Sequence, residues 1–308
     1  MIPFMEALSK NHLISMGPVG TNLHRQGLIK LEDNASVWCF KHRSQFQQAL
    51  QEWKDIGCDI LFANTCEANP LILEKTKASI QSGDICQGLA HYAKEIAKDR
   101  CYTAGDLQPV SLSIGQFLVP YGELEHNRVY ESYKVQTAAL YSGGVDFIWI
   151  FTMACLKEIE LAVRAIRDSS PLPIVATMAF ARTRFKGYRT LMGIDPAEAA
   201  RFAKNLHLDG FGVNCGGLNL KETTELLGNI RKTFDGAVVA MPNAGTPEFV
   251  KGNTVYPETP EKMAEYALKW KELGANIISG CCGTTPAHVK QMILKISKPT
   301  NPTPPAVS

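Results

Sequence analysis

The feature that most constrains this chain is a repeated order of short apolar runs, amphipathic stretches and glycine. Eight runs read as strands: "HLISM" (12–16), "CDILFAN" (58–64), "CYTAG" (101–105), "VDFIWIF" (145–151), "PIVATMAF" (173–180), "GFGVN" (210–214), "AVVAM" (237–241) and "ANIISG" (275–280). They are short and mostly lack polar alternation, the pattern of parallel strands covered on both faces. Helical spacing lies between them. "SQFQQALQEWKDIG" (44–57) sets Phe46, Leu50, Trp53 and Ile56 on one face. "TPEKMAEYALKWKELG" (259–274) offers Thr259 as N-cap and Pro260 at the first helical position; Lys262 stands where a capping box needs Glu or Gln. "DIGCD", "YSGGVD" and "ELGA" repeat the passage from helix through glycine to strand. Eight such units predict one (β/α)8 barrel of the TIM type over residues 1–297. A doubly wound sheet would be expected to carry GxGxxG after its first strand, and "GPVGTNLHRQG" does not match it. The tail "KPTNPTPPAVS" (298–308) reads as a disordered end or the start of a linker.

Bulk properties narrow the function. A net charge of +2 implies no nucleic-acid or acidic-membrane partner. Neither a signal peptide nor an apolar run of membrane-spanning length is visible. Nine cysteines, an odd number scattered through 308 residues, do not form a small disulfide framework. A reducing, cytoplasmic setting is expected, where grouped cysteines point to metal or catalysis.

In such barrels chemistry sits at the C-terminal ends of the strands. Strand six ends in "NCGG" (214–217) and strand eight in "GCCGTT" (280–285), with a single strand between them in the barrel. Adjacent cysteines do not readily pair with each other. Cys281 and Cys282 therefore want a partner, and Cys215 can meet them at the rim. Three thiolates select zinc or an iron–sulfur cluster, and three protein ligands leave a position open, as at catalytic zinc. Thr284 or Thr285 can cap a helix entered through Pro286, whose N-terminus favours thiolate nearby. Cys39, Cys58, Cys86, Cys101 and Cys155 read instead as small buried apolar residues; Cys66, after a strand end, fits either role.

"GVNC" (212–215), "MPNAG" (241–245) and "GCCGTTPAHV" (280–289), in that order, resemble the homocysteine S-methyltransferase family. "GPVGTNLHRQG" (17–27), "GYRTLMGIDPAEAA" (187–200) and "NTVYPETPEKMAEY" (253–266) extend the resemblance over nearly the whole chain, and its wording is most like the cobalamin-dependent branch. The resemblance implies zinc on Cys215, Cys281 and Cys282, with Asn243 beside the metal; turn chemistry alone would also account for an Asn next to Pro242. It further implies methyl transfer to or from a zinc-bound thiol, with a methylcorrinoid supplied by a partner protein.

The resemblance also places substrate recognition at Met16, Gly17, Phe62, Asn64, Asp106, Phe151 and Met241. Here the chain departs from the family. Met16 replaces an acid at the first strand end, "FANT" (62–65) lacks a carboxylate at the second, Phe151 replaces Glu before Thr152, and Met241 stands where Tyr is common. Burying an ammonium without an anionic partner is costly, so an apolar thiol or methylated substrate is expected in place of homocysteine. Asp106 either restores the lost charge or caps the segment that follows it. Arg182, Arg184 and Lys186 offer an anion site, or a solvated loop. A metal- or thiol-binding barrel that regulates without catalysis is the alternative reading.

Overall fold

The computed structural model describes residues 1–30, 32–184, 187–250 and 253–297. The tail 298–308 and Lys186 lie outside them. Eight parallel strands form one sheet: β1 (Leu13–Ile14), β2 (Ile60–Phe62), β3 (Tyr102–Leu107), β4 (Phe147–Met153), β5 (Ile174–Met178), β6 (Gly210–Cys215), β7 (Ala237–Pro242) and β8 (Ala275–Ile278). Each strand pairs with its neighbours in chain order, and β8 pairs with β1 through Leu13↔Ile277. A parallel bridge between Ser15 and Ile60, with Met16 N–H donating to Ile60 C=O at 2.9 Å, joins β1 to β2 and closes the barrel. All eight expected strands are present within about two residues of their apolar runs.

Local chemistry accounts for the helices between them. Thr259 caps Pro260–Glu272 by accepting from Lys262 N–H, without a box. Asn219 and Glu222 form a full capping box on Leu220–Arg231. The 44–57 pattern is the helix Arg43–Asp55, with Phe46, Leu50 and Trp53 buried against the strands.

The interior of the barrel is organised by β4, whose alternate residues Phe147, Trp149 and Phe151 face one way. Trp149 stacks on Phe151 with centroids 4.6 Å apart, and Phe62 meets both edge-on. Phe4, on the short helix Phe4–Lys10, stacks on Phe147 at 4.0 Å and meets Tyr102 edge-on. Tyr102 Oη donates to Ile2 C=O, and Asn276 Nδ2 to Leu8 C=O. The N-terminal helix is thus tied over the bottom of the barrel, and an aromatic column runs from it toward the opposite rim.

Candidate metal centre

The C-terminal rim is built on unusual backbone. Asn64 after β2, Thr152 within β4 and Cys215 at the end of β6 adopt positive φ of 61°, 57° and 53°. Each costs about 1–2 kcal/mol for a residue with a Cβ. At Thr152 the β4–β5 register slips between Ile150 and Met153.

The rim brings the three expected cysteines together. Cys215 Sγ lies 2.6 Å from Cys281 Sγ and 3.6 Å from Cys282 Sγ, and all three sulfurs fall within 4.8 Å of one another. Backbone pairing holds them there. Cys281 N–H donates to Pro242 C=O at 2.7 Å, and Ala244 N–H donates to Cys282 C=O at 2.9 Å, so β7 braces the turn after β8. At the start of the following helix Thr285 N–H donates to His288 Nδ1 at 3.2 Å, and the Thr285 hydroxyl meets the same nitrogen at 2.9 Å.

The three thiols are not equivalent. Cys282 is held down to about 3 by hydrogen bonds from Cys215, Cys281 and Tyr256, which outweigh burial. Cys281 is pushed up by its contacts with Cys215 and Cys282 and by burial. For Cys215 the Cys281 contact lowers, but the Cys282 contact and burial raise it further, and the net shift is upward.

The donor set fits zinc. A tetrahedron of ~2.3 Å zinc–sulfur bonds has edges of about 3.8 Å. The Cys215–Cys282 pair matches that edge, and Cys215–Cys281 reaches it by a side-chain shift of about 1 Å. Asn243 is buried, its Nδ2 donates to Gly216 C=O at 3.0 Å, and its Oδ1 has no hydrogen-bond partner among the described residues. A buried carbonyl oxygen without a donor is costly, and a cation beside the sulfurs would satisfy it. Among the described residues no other group of three metal-ligating side chains converges so closely.

Met16, Phe62, Phe151 and Met241, the residues that replace the family's polar ones, are each buried, at most 7% exposed. Met16 Sδ accepts from Phe62 N–H at 3.1 Å, which fixes the thioether against β2. A side chain at Gly17 would meet Trp53 at 2.9 Å and Thr284 at 3.5 Å, so its absence lets the β1 and β8 exits lie together. Asn64 turns its Nδ2 onto Cys39 Sγ at 3.2 Å.

Asp106 is buried, and its carboxyl rises above the usual range through burial, opposed by its hydrogen bonds. It accepts from the N–H groups of Thr65 and Cys66, the Thr65 hydroxyl and the Cys66 thiol. It thus caps the turn after β2, not the segment that follows it in sequence. Arg182 sits on an exposed ribbon and pairs with Glu222 at 3.2 Å. Arg184 is also exposed. Cys39, Cys58, Cys86 and Cys101 are buried, Cys155 is half-buried, and burial pushes Cys39 and Cys86 up to about 12 and Cys101 to about 11.

Two contributors were not singled out from the sequence. Asn214 Nδ2 reaches Cys281 Sγ at 3.8 Å and Thr152 Oγ1 at 2.7 Å. Tyr256, from the loop after β7, lies over Gly283 next to Cys282: a Cβ on Gly283 would stand 2.2 Å from its ring Cγ. Both lie inside phrases of the family resemblance, and that was their one available signal.

The family model described as homocysteine S-methyltransferase matches residues 13–295. Methionine synthases of Mycobacterium tuberculosis and Mycobacterium leprae are each 24% identical to the chain, over 97% and 96% of its length. The chain spans about a quarter of the length of these curated relatives, 26% and 25%. Among solved structures, the metallated homocysteine methyltransferase MmuM of Escherichia coli superposes with a TM-score of 0.75 at 18% identity, covering 94% of this chain and 98% of that one. Its oxidized form gives a TM-score of 0.75 at 17% identity, covering 94% and 97%. At these identities the superpositions show the shared fold.

Proposed function

The chain belongs to the homocysteine S-methyltransferase family, and from that premise we propose a zinc-dependent methyltransferase that acts on sulfur and takes a substrate without a charged amino-acid head. The convergence of Cys215, Cys281 and Cys282 carries the reading, and Asn243 Oδ1, buried and without a hydrogen-bond partner among the described residues, supports it. These four residues would hold the metal. Bound there, zinc supplies the Lewis acidity that keeps a thiol ionised at neutral pH.

The chain's own groups do the rest. Asn214 orients Cys281. Met16, Phe62, Phe151 and Met241 supply an apolar wall, and a dry wall strengthens a sulfur nucleophile by withholding water from it. The same wall offers no carboxylate, and the Asp106 oxygens are engaged by the turn after β2. An ammonium group placed here would be buried without an anion. The methyl partner we propose is a methylcorrinoid on a separate protein. The resemblance to the cobalamin-dependent branch supports it.

The test joins metal analysis to a substrate comparison. Purified protein is expected to hold about one zinc per chain and, with methylcobalamin as donor, to methylate propanethiol in preference to homocysteine. Protein without zinc, or with the reverse preference, overturns the reading.

A further inference from the structure

One side chain closes a ring of hydrogen bonds around the turn that carries Cys281 and Cys282. Ala244, after β7, donates its N–H to Cys282 C=O at 2.9 Å. Glu258 N–H donates to Ala244 C=O at 3.0 Å, so the loop that leaves β7 returns onto its own start. A Cβ at Gly245 would stand 2.7 Å from Glu258 and 3.1 Å from Pro257, and glycine lets that return lie close. Glu258 C=O is then 3.0 Å from His288 Nε2. The other ring nitrogen, Nδ1, meets Thr285 N–H at 3.2 Å and the Thr285 hydroxyl at 2.9 Å. Thr285 follows closely on Cys282 in the chain, which completes the circuit. His288, on the helix Pro286–Ser297 and 8% exposed, joins its two ends.

These partners also fix the proton. Thr285 N–H can only donate, so Nδ1 accepts; a carbonyl can only accept, so Nε2 carries the hydrogen. The ring is thereby neutral. Burial holds its pKa below the ordinary histidine value. Glu258 C=O and Glu261, on the helix Pro260–Glu272, oppose burial, and Arg25, on the helix Val19–Arg25, adds to it.

From this geometry we infer that His288 is a positioning residue for the metal turn: as the neutral Nε2–H tautomer it fastens the loop after β7 to the turn that carries Cys281 and Cys282, and a second proton, on Nδ1, unfastens it. The inference rests on the zinc reading above, which makes those cysteines ligands. With Nδ1 protonated, the Thr285 hydroxyl can turn to accept, but Thr285 N–H cannot, and two donors face each other. Losing one buried hydrogen bond raises local opening by about tenfold.

The experiment follows amide hydrogen exchange of Ala244, whose N–H is held on Cys282 C=O, and of Glu258. It compares zinc-saturated wild type, His288→Ala and His288→Gln from slightly above neutral pH down to about pH 5. His288→Gln offers a donor to Glu258 C=O and cannot titrate. At the upper pH both amides should exchange about tenfold faster in His288→Ala than in wild type, with His288→Gln close to wild type. As pH falls, wild type should converge on His288→Ala while His288→Gln does not. Comparison at each pH cancels the intrinsic pH dependence of exchange. A wild-type to His288→Ala ratio that stays constant over this range, or a His288→Gln that climbs with wild type, overturns this inference alone. A wild type that binds no zinc overturns it together with the function on which it rests.

Discussion

Asn214 and Thr152 hold each other across the barrel rim. Asn214 Oδ1 accepts from Thr152 N–H at 2.7 Å, and Asn214 Nδ2 donates to Thr152 Oγ1 at 2.7 Å. The exchange satisfies the backbone where β4 turns left-handed, and it aims the amide at Cys281. One side chain thus couples the end of β4, where Phe151 sits, to the sulfur cluster. Asn214→Ala leaves Thr152 unpaired, with an expected loss of about 1–3 kcal/mol in denaturant unfolding. Zinc affinity should fall about tenfold in chelator competition. An unchanged affinity would show that Asn214 serves β4 alone.

Cys215→Ala removes the single ligand contributed by β6. Loss of an outer contact costs a metal site about ten- to a hundredfold in affinity, so loss of a ligand should exceed a hundredfold, with methyl transfer abolished. Ala carries the same Cβ cost at the positive φ of this position as Cys does, so the substitution adds no backbone strain. Full zinc in the variant would exclude Cys215 as a ligand.

Zinc uptake should release about two protons near neutral pH. Cys282, held to about 3, is already ionised, while Cys215 and Cys281 are raised and protonated, and all three must bind as thiolates. Affinity therefore rises with pH and falls as acid restores the two protons. Calorimetry in buffers of different ionisation heat measures the number, and a release near zero or three would contradict this charge assignment.

Phe151→Glu places a carboxylate on the apolar wall. It should raise kcat/KM for homocysteine by about tenfold relative to propanethiol, as a charged hydrogen bond to an ammonium would. A folded, zinc-loaded variant with no gain would show that Phe151 does not face the substrate's head.

Phe4→Ala empties the seat on Phe147 at the bottom of the barrel. The expected cost is about 3–5 kcal/mol, read as a lower denaturant midpoint at unchanged slope. Zinc content should be untouched, because Phe4 packs at the starts of β3 and β4, opposite the cluster.

Much of this molecule was legible before folding. The strands showed as apolar runs because parallel strands are buried on both faces, and the cysteines could be joined because strand order places β6 and β8 on either side of β7. Contacts set by loop paths were not legible. Asp106 finds its donors on Thr65 and Cys66, 41 and 40 residues earlier, through β2–β3 neighbourhood and the shape of one turn. Tyr256 sets its ring over Gly283 because the chain returns across the rim there, a course that no spacing encodes. Asn214 precedes a conspicuous cysteine, and its role depends on the bend at Thr152.

The helix that bears Phe4 has a kinetic consequence. Among the described residues the lower end is covered by the helix Phe4–Lys10 and the aromatic column fills the axis, so the sulfur cluster faces the opposite, C-terminal rim. Under the proposed function, thiol, methyl carrier and product would all meet at that rim. Product inhibition should then be competitive toward at least one reactant, and the order of entry becomes a property of the mouth that the loops after β5 and β7 frame.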